Sequence, residues 1–512
     1  MSSSCPPNWR QIACSTVLII LFYVLGIQPA RGQSDGAVPP DVEQLQKKLE
    51  QMQAQVDQLK QVQAQMDQLK EQINTLKNQQ RQAALDGKNQ LSELSLSADP
   101  TVPKMGATTA SVATATTHVP TTPNAAAPAQ TASNTPPSER SVDVYGFAML
   151  DFGKDFRTID PNWYDSLRPT KLPSFPGEFG QNGNTYLSVR QTRIGVKGVE
   201  PTPWGDLKAV IEFDMYGTGK DAGITTMRPR HYYGELGPIL AGQTNTTFMD
   251  IDVFPNNSLE YWGPNGMVFI RQPQFRWMPI RGDTHLWIAA EAPGQSADLG
   301  VIADRIQVQN IRARFPYPDL AGQYRQKTSF GYIQAAAVLR NVKLDHTLTG
   351  PLNFNQSIIG WGFNVSSQVK VRKDALHLQY VYGNGIENYM NDAPVDVAPI
   401  LNPGNPTRPV KGKPLPMWSM VAYLDHSWGE KLASSLGYSQ VQIQNTSLQA
   451  ANAYHLGQYS TVSLAWTPFS RVMYGGELQW GRRTNISAGA SESYRLQFSF
   501  KYSFDGRIVG TK

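Results

Sequence analysis

The chain has 512 residues, a formal net charge of +5 and 17% charged residues. That length admits one large unit with appendages or several ordinary domains, and so modest a charge excess gives no argument for a nucleic-acid partner. Forty-two glycines, with 21 Tyr, 19 Phe and 11 Trp, suit a sheet-rich protein, and no run of about 18 apolar residues follows residue 30 to form a spanning helix.

Residues 1–32 read as a secretory signal peptide. Arg10 precedes the apolar run Ile12 to Ile27, and small residues follow in Gln28-Pro29-Ala30-Arg31-Gly32. Both cysteines, Cys5 and Cys14, fall inside it, so the remaining chain offers no disulfide and no thiolate ligand. Residues 38–86 carry an apolar seam, Val42, Leu45, Leu49, Met52, Val56 and Leu59, stepping by threes and fours. This is the seam of a coiled coil, and a stripe so narrow needs partner chains to cover it. A repeat of ten, Gln51–Lys60 and Gln61–Lys70, inserts a stammer that overwinds the supercoil before the seam resumes through Met66, Leu69, Ile73 and Leu76. Residues 97–139 are Ala, Thr, Pro and Ser without apolar period, a disordered linker.

From Ser141 the period becomes two. In the last such segment, Tyr494 to Phe504, Tyr494, Leu496, Phe498, Phe500, Tyr502 and Phe504 share one face. Arg495, Gln497, Ser499, Lys501 and Ser503 share the other. An aromatic-ended apolar face backed by a polar one, over about 9–11 residues, predicts a membrane strand with a wet interior. Leu207–Tyr216 repeats the plan, with Leu207, Ala209, Ile211, Phe213 and Met215 out and Lys208, Glu212 and Asp214 in. Other expected strands are Val142–Phe152, Thr185–Gly198, Arg230–Gly237, Ile239–Thr246, Met267–Gln272, His285–Ala290 and Ile306–Phe315. Phe330–Arg340, Ile358–Lys370, Ala375–Tyr382, Trp418–Ser427, Leu432–Gln442, His455–Trp466 and Arg471–Arg483 complete about sixteen. In Thr185–Gly198 the phase slips, because Arg190 and Arg193 fall on opposite faces, and Ile306–Phe315 is polar for a lipid-facing strand.

The fold expected is therefore an all-β transmembrane barrel of about 16 antiparallel strands over 141–504, preceded by an α-helical coiled coil and a linker. Residues 505–512 would be a short C-terminal tail. Asp155–Asn184 and Asn384–Met417 are long Pro-, Gly- and Asn-rich connections, suited to the extracellular rim. Thr247–Asn265 mixes carboxylates, amides and aromatics, and is the candidate for a loop folded into the lumen.

The order of signal, Gln-rich coiled coil, linker and barrel resembles the DcaP-like trimeric outer-membrane porins of Gram-negative bacteria. SVDVYGFAMLDFG at Ser141 and RQTRIGVKG at Arg190 contribute to the resemblance. So do RHYYGELGPILAGQTNTTFMD at Arg230, FPNNSLEYWGPNGMVFIRQPQFR at Phe254 and the final FSFKYSF. The resemblance implies a sixteen-stranded barrel, a homotrimer in the lipid bilayer of the cell outer membrane, a coiled coil in the periplasm, and uptake of small anionic solutes such as dicarboxylates. Porins usually end on an aromatic residue, whereas here Asp505–Lys512 follows Phe504.

No nucleophile elbow, zinc helix or phosphate loop is present, so neither an enzyme nor a cofactor is expected. A lipase-like barrel enzyme and an envelope tether anchored by the barrel are the rival readings. Between 250 and 345 there are eight arginines, at 271, 276, 281, 305, 312, 314, 325 and 340, but only two lysines, at 327 and 343. A guanidinium matches a carboxylate bidentately, which suits a carboxylate-selecting pore. Nine acids share the interval, so placement decides the field. The expected arrangement sets Asp250, Asp252 and Glu260 on the inward loop against Arg271, Arg276 and Arg340 on the wall, with Arg230 also pore-lining. An irregularity at Pro273 is expected to turn both Arg271 and Arg276 inward.

Overall fold

The computed structural model describes residues 139–509, except 295, 296, 298, 303–309, 348 and 349. The expected targeting segment 1–32, the coiled coil 38–86, the linker up to residue 138 and residues 510–512 lie outside the described residues.

Twenty strand segments occur among the described residues. The first eight are β1 (Ser141–Asp155), β2 (Thr185–Ser188), β3 (Arg193–Thr202), β4 (Gly205–Tyr216), β5 (Thr225–Leu236), β6 (Ile239–Asn245), β7 (Arg271–Ile280) and β8 (His285–Glu291). Next come β9 (Ile311–Arg314), β10 (Asp319–Thr328), β11 (Gly331–His346), β12 (Gln356–Val371), β13 (Asp374–Asn384), β14 (Val397–Leu401) and β15 (Val410–Pro414). The last are β16 (Pro416–Ser427), β17 (Leu432–Ile443), β18 (Tyr454–Phe469), β19 (Val472–Asn485) and β20 (Ala490–Val509). β2 and β3 share one position beside β1, β9 and β10 share another beside β11, and β14–β15 form a separate hairpin. Sixteen antiparallel positions remain, and β20 pairs with the whole length of β1 through residues 495–509 to close the barrel.

Alternation decides which face each residue takes. In β20, Phe498 and Tyr502 are 49% and 47% exposed on the outer wall while Arg495 and Gln497 are 0% and 1% exposed inside. Leu207 and Ile211 of β4 likewise stand outside, with Glu212 and Asp214 buried within. An apolar outer wall faces acyl chains without cost, and the polar side chains are left to the interior. Connections alternate in length around the barrel. One rim has short turns, such as Thr328 to Gly331, and the other carries the long loops 156–184, 246–270 and 385–415. Long loops mark the extracellular rim.

Four sequence expectations need revision. β7 covers Arg271–Ile280, not Met267–Gln272, because Pro273 and Pro279 disguise a run that nonetheless pairs with β6 and β8. Only Ile311–Arg314 of the expected 306–315 strand is paired among the described residues, and the main strand there is β10, whose apolar alternation is weakened by Gly322 and Gln326. The connection 384–417 is not wholly irregular, since it contains the β14–β15 hairpin. Residues 505–509 are no tail: they extend β20 against Ser141–Tyr145, and Arg507 bonds Asp143. The slip foreseen in Thr185–Gly198 is present. The chain turns between β2 and β3, where Thr192 N–H donates to the Val189 carbonyl, and this brings both Arg190 and Arg193 inside.

Candidate functional site

The loop Thr246–Ile270 circles the lumen, and each stop on its route is an ion pair or a hydrogen bond to an inward-facing strand residue. Thr246 Oγ1 and Thr247 N–H donate to Glu291 of β8 at 2.6 Å each. Asp250 then accepts from Arg325 of β10 (2.6 Å), Tyr332 of β11 (2.9 Å) and Ser366 of β12 (2.6 Å). His377 Nδ1 of β13 lies 2.7 Å from the Asp252 carbonyl. Asn256 N–H donates to Asp425 of β16 at 2.9 Å, and Asn257 N–H to Ser435 of β17 at 3.2 Å. Leu259 bonds Glu477 of β19 through its N–H and Gln497 of β20 through its carbonyl. The Tyr261 hydroxyl reaches Asp214 of β4 at 2.8 Å and Arg230 of β5 at 2.7 Å. The expectation of a loop at 247–265 folded into the lumen matches this placement. Backbone N–H groups held by carboxylates are charge-assisted contacts, about twice as strong as neutral ones.

Two more loops mesh with it. Asn391 donates to the Trp262 carbonyl and, at 2.9 Å, to the Pro264 carbonyl. Met390 forms a bridge with Val268. From the first loop, Arg168 bonds Asp392 at 2.9 Å while its guanidinium sits 4.4 Å from the Trp163 ring and 4.3 Å from the Trp262 ring.

The predicted site residues scatter. Asp250 is buried, and Arg325 binds Asp250 and Asp252 at 2.6 and 2.5 Å, so two loop carboxylates are spent on one wall arginine. Glu260 is buried 3.6 Å from Arg495. Burial pushes its carboxyl up to about 7, against the pull of Arg495. Arg340 lies buried between Asp319 (2.9 Å) and Asp396 (3.3 Å) and donates to the Gly385 carbonyl. Arg276 is buried over the Trp287 ring and gives its N–H groups to Gln274 and the Asn245 carbonyl. Arg271 is half-buried, 3.4 Å from the Tyr261 hydroxyl. The register of β6 with β7 runs unbroken through Pro273, so the expected irregularity is absent, although Arg271 at the start of β7 meets Tyr261 of the inward loop and Arg276 is buried. Five of the seven are engaged by residues outside the predicted set: Asp250 and Asp252 by Arg325, Glu260 by Arg495, Arg340 by Asp319 and Asp396, and Arg230 by Glu212 and Asp214.

Positive charge collects around two of the seven, Arg230 and Arg271. Arg230 bonds Glu212 (2.7 Å) and Asp214 (3.0 Å), Arg228 bonds Asp214 (2.7 Å), and Arg193 lies 3.6 Å from Glu212. With Arg271 beside the shared Tyr261, four guanidiniums face two carboxylates. Arg228, with 18% of its side chain exposed, and Arg271 are the members that reach solvent. The sequence signal for this cluster was present in Arg228-Pro229-Arg230, a pair two apart that shares a strand face. A register shift at Glu212/Phe213, not visible in the sequence, turns it toward Asp214.

Asp425, His377 and Ser435 also meet, but Asp425 lies in the middle, accepting from Ser435 and 2.8 Å from His377. A nucleophilic serine needs the histidine between itself and the acid. Among the described residues no three or more His, Cys, Asp or Glu side chains are placed to hold a metal ion.

The model of the DcaP outer membrane protein family matches residues 170–504. The chain belongs to the DcaP outer membrane protein family. The crystal structure of the outer membrane channel DcaP of Acinetobacter baumannii is 20% identical, with a TM-score of 0.59 over 71% of this chain and 97% of that one. A loop-deletion form of OmpT from Vibrio cholerae is 12% identical, covers 72% of this chain and 100% of that one, and has a TM-score of 0.44. An anion-selective porin from Comamonas acidovorans is 10% identical, with the same coverages and a TM-score of 0.44. No curated protein sequence matches the chain. The family makes this barrel an outer-membrane porin.

Proposed function

We propose that the porin is a passive, anion-preferring channel for small carboxylate-bearing solutes, dicarboxylates among them, and that its selectivity wall is the cluster Arg193, Arg228, Arg230 and Arg271. The observation that carries this reading is the excess of two positive charges around Tyr261, at the height of the inward loop, with Arg228 and Arg271 reaching solvent. Rings of fixed charge set ion preference in pores, and a low-dielectric wall focuses the field into the passage. Two guanidiniums side by side suit two carboxylates on one short solute, each contact being weak enough to release it. Transport then needs no chemical step. The chain would work as a homotrimer, with the coiled coil 38–86 in the periplasm reinforcing the barrel contacts. The test is the full-length protein in planar bilayers under a KCl gradient, with short dicarboxylates added. An anion-signed reversal potential and solute-induced current block are expected. Cation preference, or hydrolytic turnover without conductance, would remove this reading.

A further inference from the structure

The outer wall of β8, β10, β11 and β12 is shaped unlike a plain lipid-facing surface. Ile288, Gly322, Ala337 and Phe363 stand side by side in register across these four strands. Gly322 and Ala337 in the middle leave a gap between the larger side chains. The next rung toward the long-loop rim, Leu320, Leu339 and Trp361, stands over it. The result is an apolar groove of about 480 Å³ on the outside of the barrel.

Directly above, the same face changes character. On β11, Leu339, Asn341, Lys343 and Asp345 alternate outward, with Val342 and Leu344 buried on the other side. Arg314 of β9 stands opposite Lys343 and Arg312 opposite Asp345, so their side chains share that face. Both arginines are exposed. Arg314 pairs with Asp345, and Ser357 with Asn341. Three cations therefore face one carboxylate among the described residues. Four residues of strand, at about 3.4 Å each, separate Lys343 from the groove roof, which lifts the cations from the acyl layer to the head groups of the outer leaflet.

We propose that this wall binds one outer-leaflet lipid with a phosphorylated head group, an acyl chain lying in the groove and a phosphate held by Lys343, Arg312 and Arg314. Guanidinium grips phosphate in bidentate fashion, while a purely apolar groove would suit any acyl chain, so the cations supply the choice of head group. The inference is independent of what passes through the lumen.

The experiment is native mass spectrometry of the full-length trimer or monomer, as purified, titrated with a hexa-acylated diglucosamine bisphosphate and with the same lipid after phosphate removal. The parent is expected to keep one bisphosphate lipid per barrel and to bind the dephosphorylated form at least about tenfold more weakly. Arg312→Ser with Arg314→Ser and Lys343→Ser is expected to lose that difference. Ala337→Trp, which fills the groove from outside and leaves the interior untouched, is expected to weaken both lipids. Equal retention of the two lipids by the parent would reduce the groove to ordinary lipid contact and overturn the proposal. An Ala337→Trp chain that changes oligomeric state while keeping the lipid would overturn it in favour of a contact between copies of this chain.

Discussion

Arg168 and Asp392 meet at 2.9 Å although 224 residues separate them. Arg168 comes from the loop 156–184 and Asp392 from the loop 385–415, and Trp262 of the inward loop stacks against the same guanidinium. One side chain thus ties three loops together inside the barrel. Cation–π contact with two indoles at 4.4 and 4.3 Å adds to the ion pair where water is scarce.

Arg168→Ala should loosen that junction. Asp392 would keep its bond from Thr170 N–H at 2.9 Å but lose its counter-charge while remaining buried. Breaking a buried pair from one side costs about 3–5 kcal/mol. The strands should stay paired, so the loss appears as loop motion: larger single-channel conductance and more frequent closures in bilayers, with barrel heat resistance nearly unchanged. A variant with the parent's conductance and noise would show that wall contacts alone hold the loops.

Glu260 should make selectivity respond to pH. Burial pushes its carboxyl from the ordinary 4.5 up to about 7, and Arg495, at 3.6 Å, is already engaged by Asp155 at 2.7 and 3.0 Å. A raised carboxyl is neutral below about 7 and charged above it. Lowering pH through that value removes a negative charge from the lumen, so anion preference should rise as pH falls. The folded chain then holds a proton that the unfolded chain releases between 4.5 and about 7, so this group's contribution to stability declines as pH rises through that window. Reversal potentials across the range should shift in the parent and stay flat in Glu260→Gln. A parallel slope in both would assign the response to another group.

Arg340→Leu should report on stability rather than on selectivity. Its guanidinium is buried between Asp319 and Asp396, and removal takes a charge-assisted partner at 2.9 and 3.3 Å from two buried carboxylates. The expected cost is about 3–5 kcal/mol, read as a lower unfolding temperature in detergent. A variant of parental stability whose anion preference had fallen would return Arg340 to the conducting path.

The barrel was legible because alternation is local: each strand such as Leu207–Tyr216 or Tyr494–Phe504 declares its two faces without reference to its neighbours. The inward loop was legible for a similar reason, since Thr247–Asn265 has too many carboxylates and amides to face lipid. What each charge does was not legible. Whether Arg340 is free or spent depends on where Asp396 folds, and Asp396 belongs to a loop 56 residues further along the chain. Arg325 looked like any other arginine of the interval until Asp250 and Asp252 were placed beside it. Strand period says that a side chain points inward; only tertiary packing says what it meets there.

The arginines flanking Pro273 should prove separable. Arg276 gives its N–H groups to Gln274 (3.0 Å) and the Asn245 carbonyl (2.6 Å) and lies over Trp287, leaving little for a passing solute. Arg271 lies 3.4 Å from the Tyr261 hydroxyl and sits with Arg228 where the cluster opens to solvent. A hydrogen bond to a charged group contributes about 1.5–3 kcal/mol, and about 1.4 kcal/mol is a factor of ten. Arg228→Gln with Arg271→Gln should therefore weaken dicarboxylate block at least about tenfold and move the reversal potential toward cations. Arg276→Gln should change block by less than about twofold, since it removes no solvent-facing charge from the cluster. Both are read from solute-induced current block in bilayers, with trimer content checked by native electrophoresis. If Arg276→Gln abolished block and the double variant kept it, the binding wall would lie on the β7–β8 side, over Trp287, and not around Tyr261.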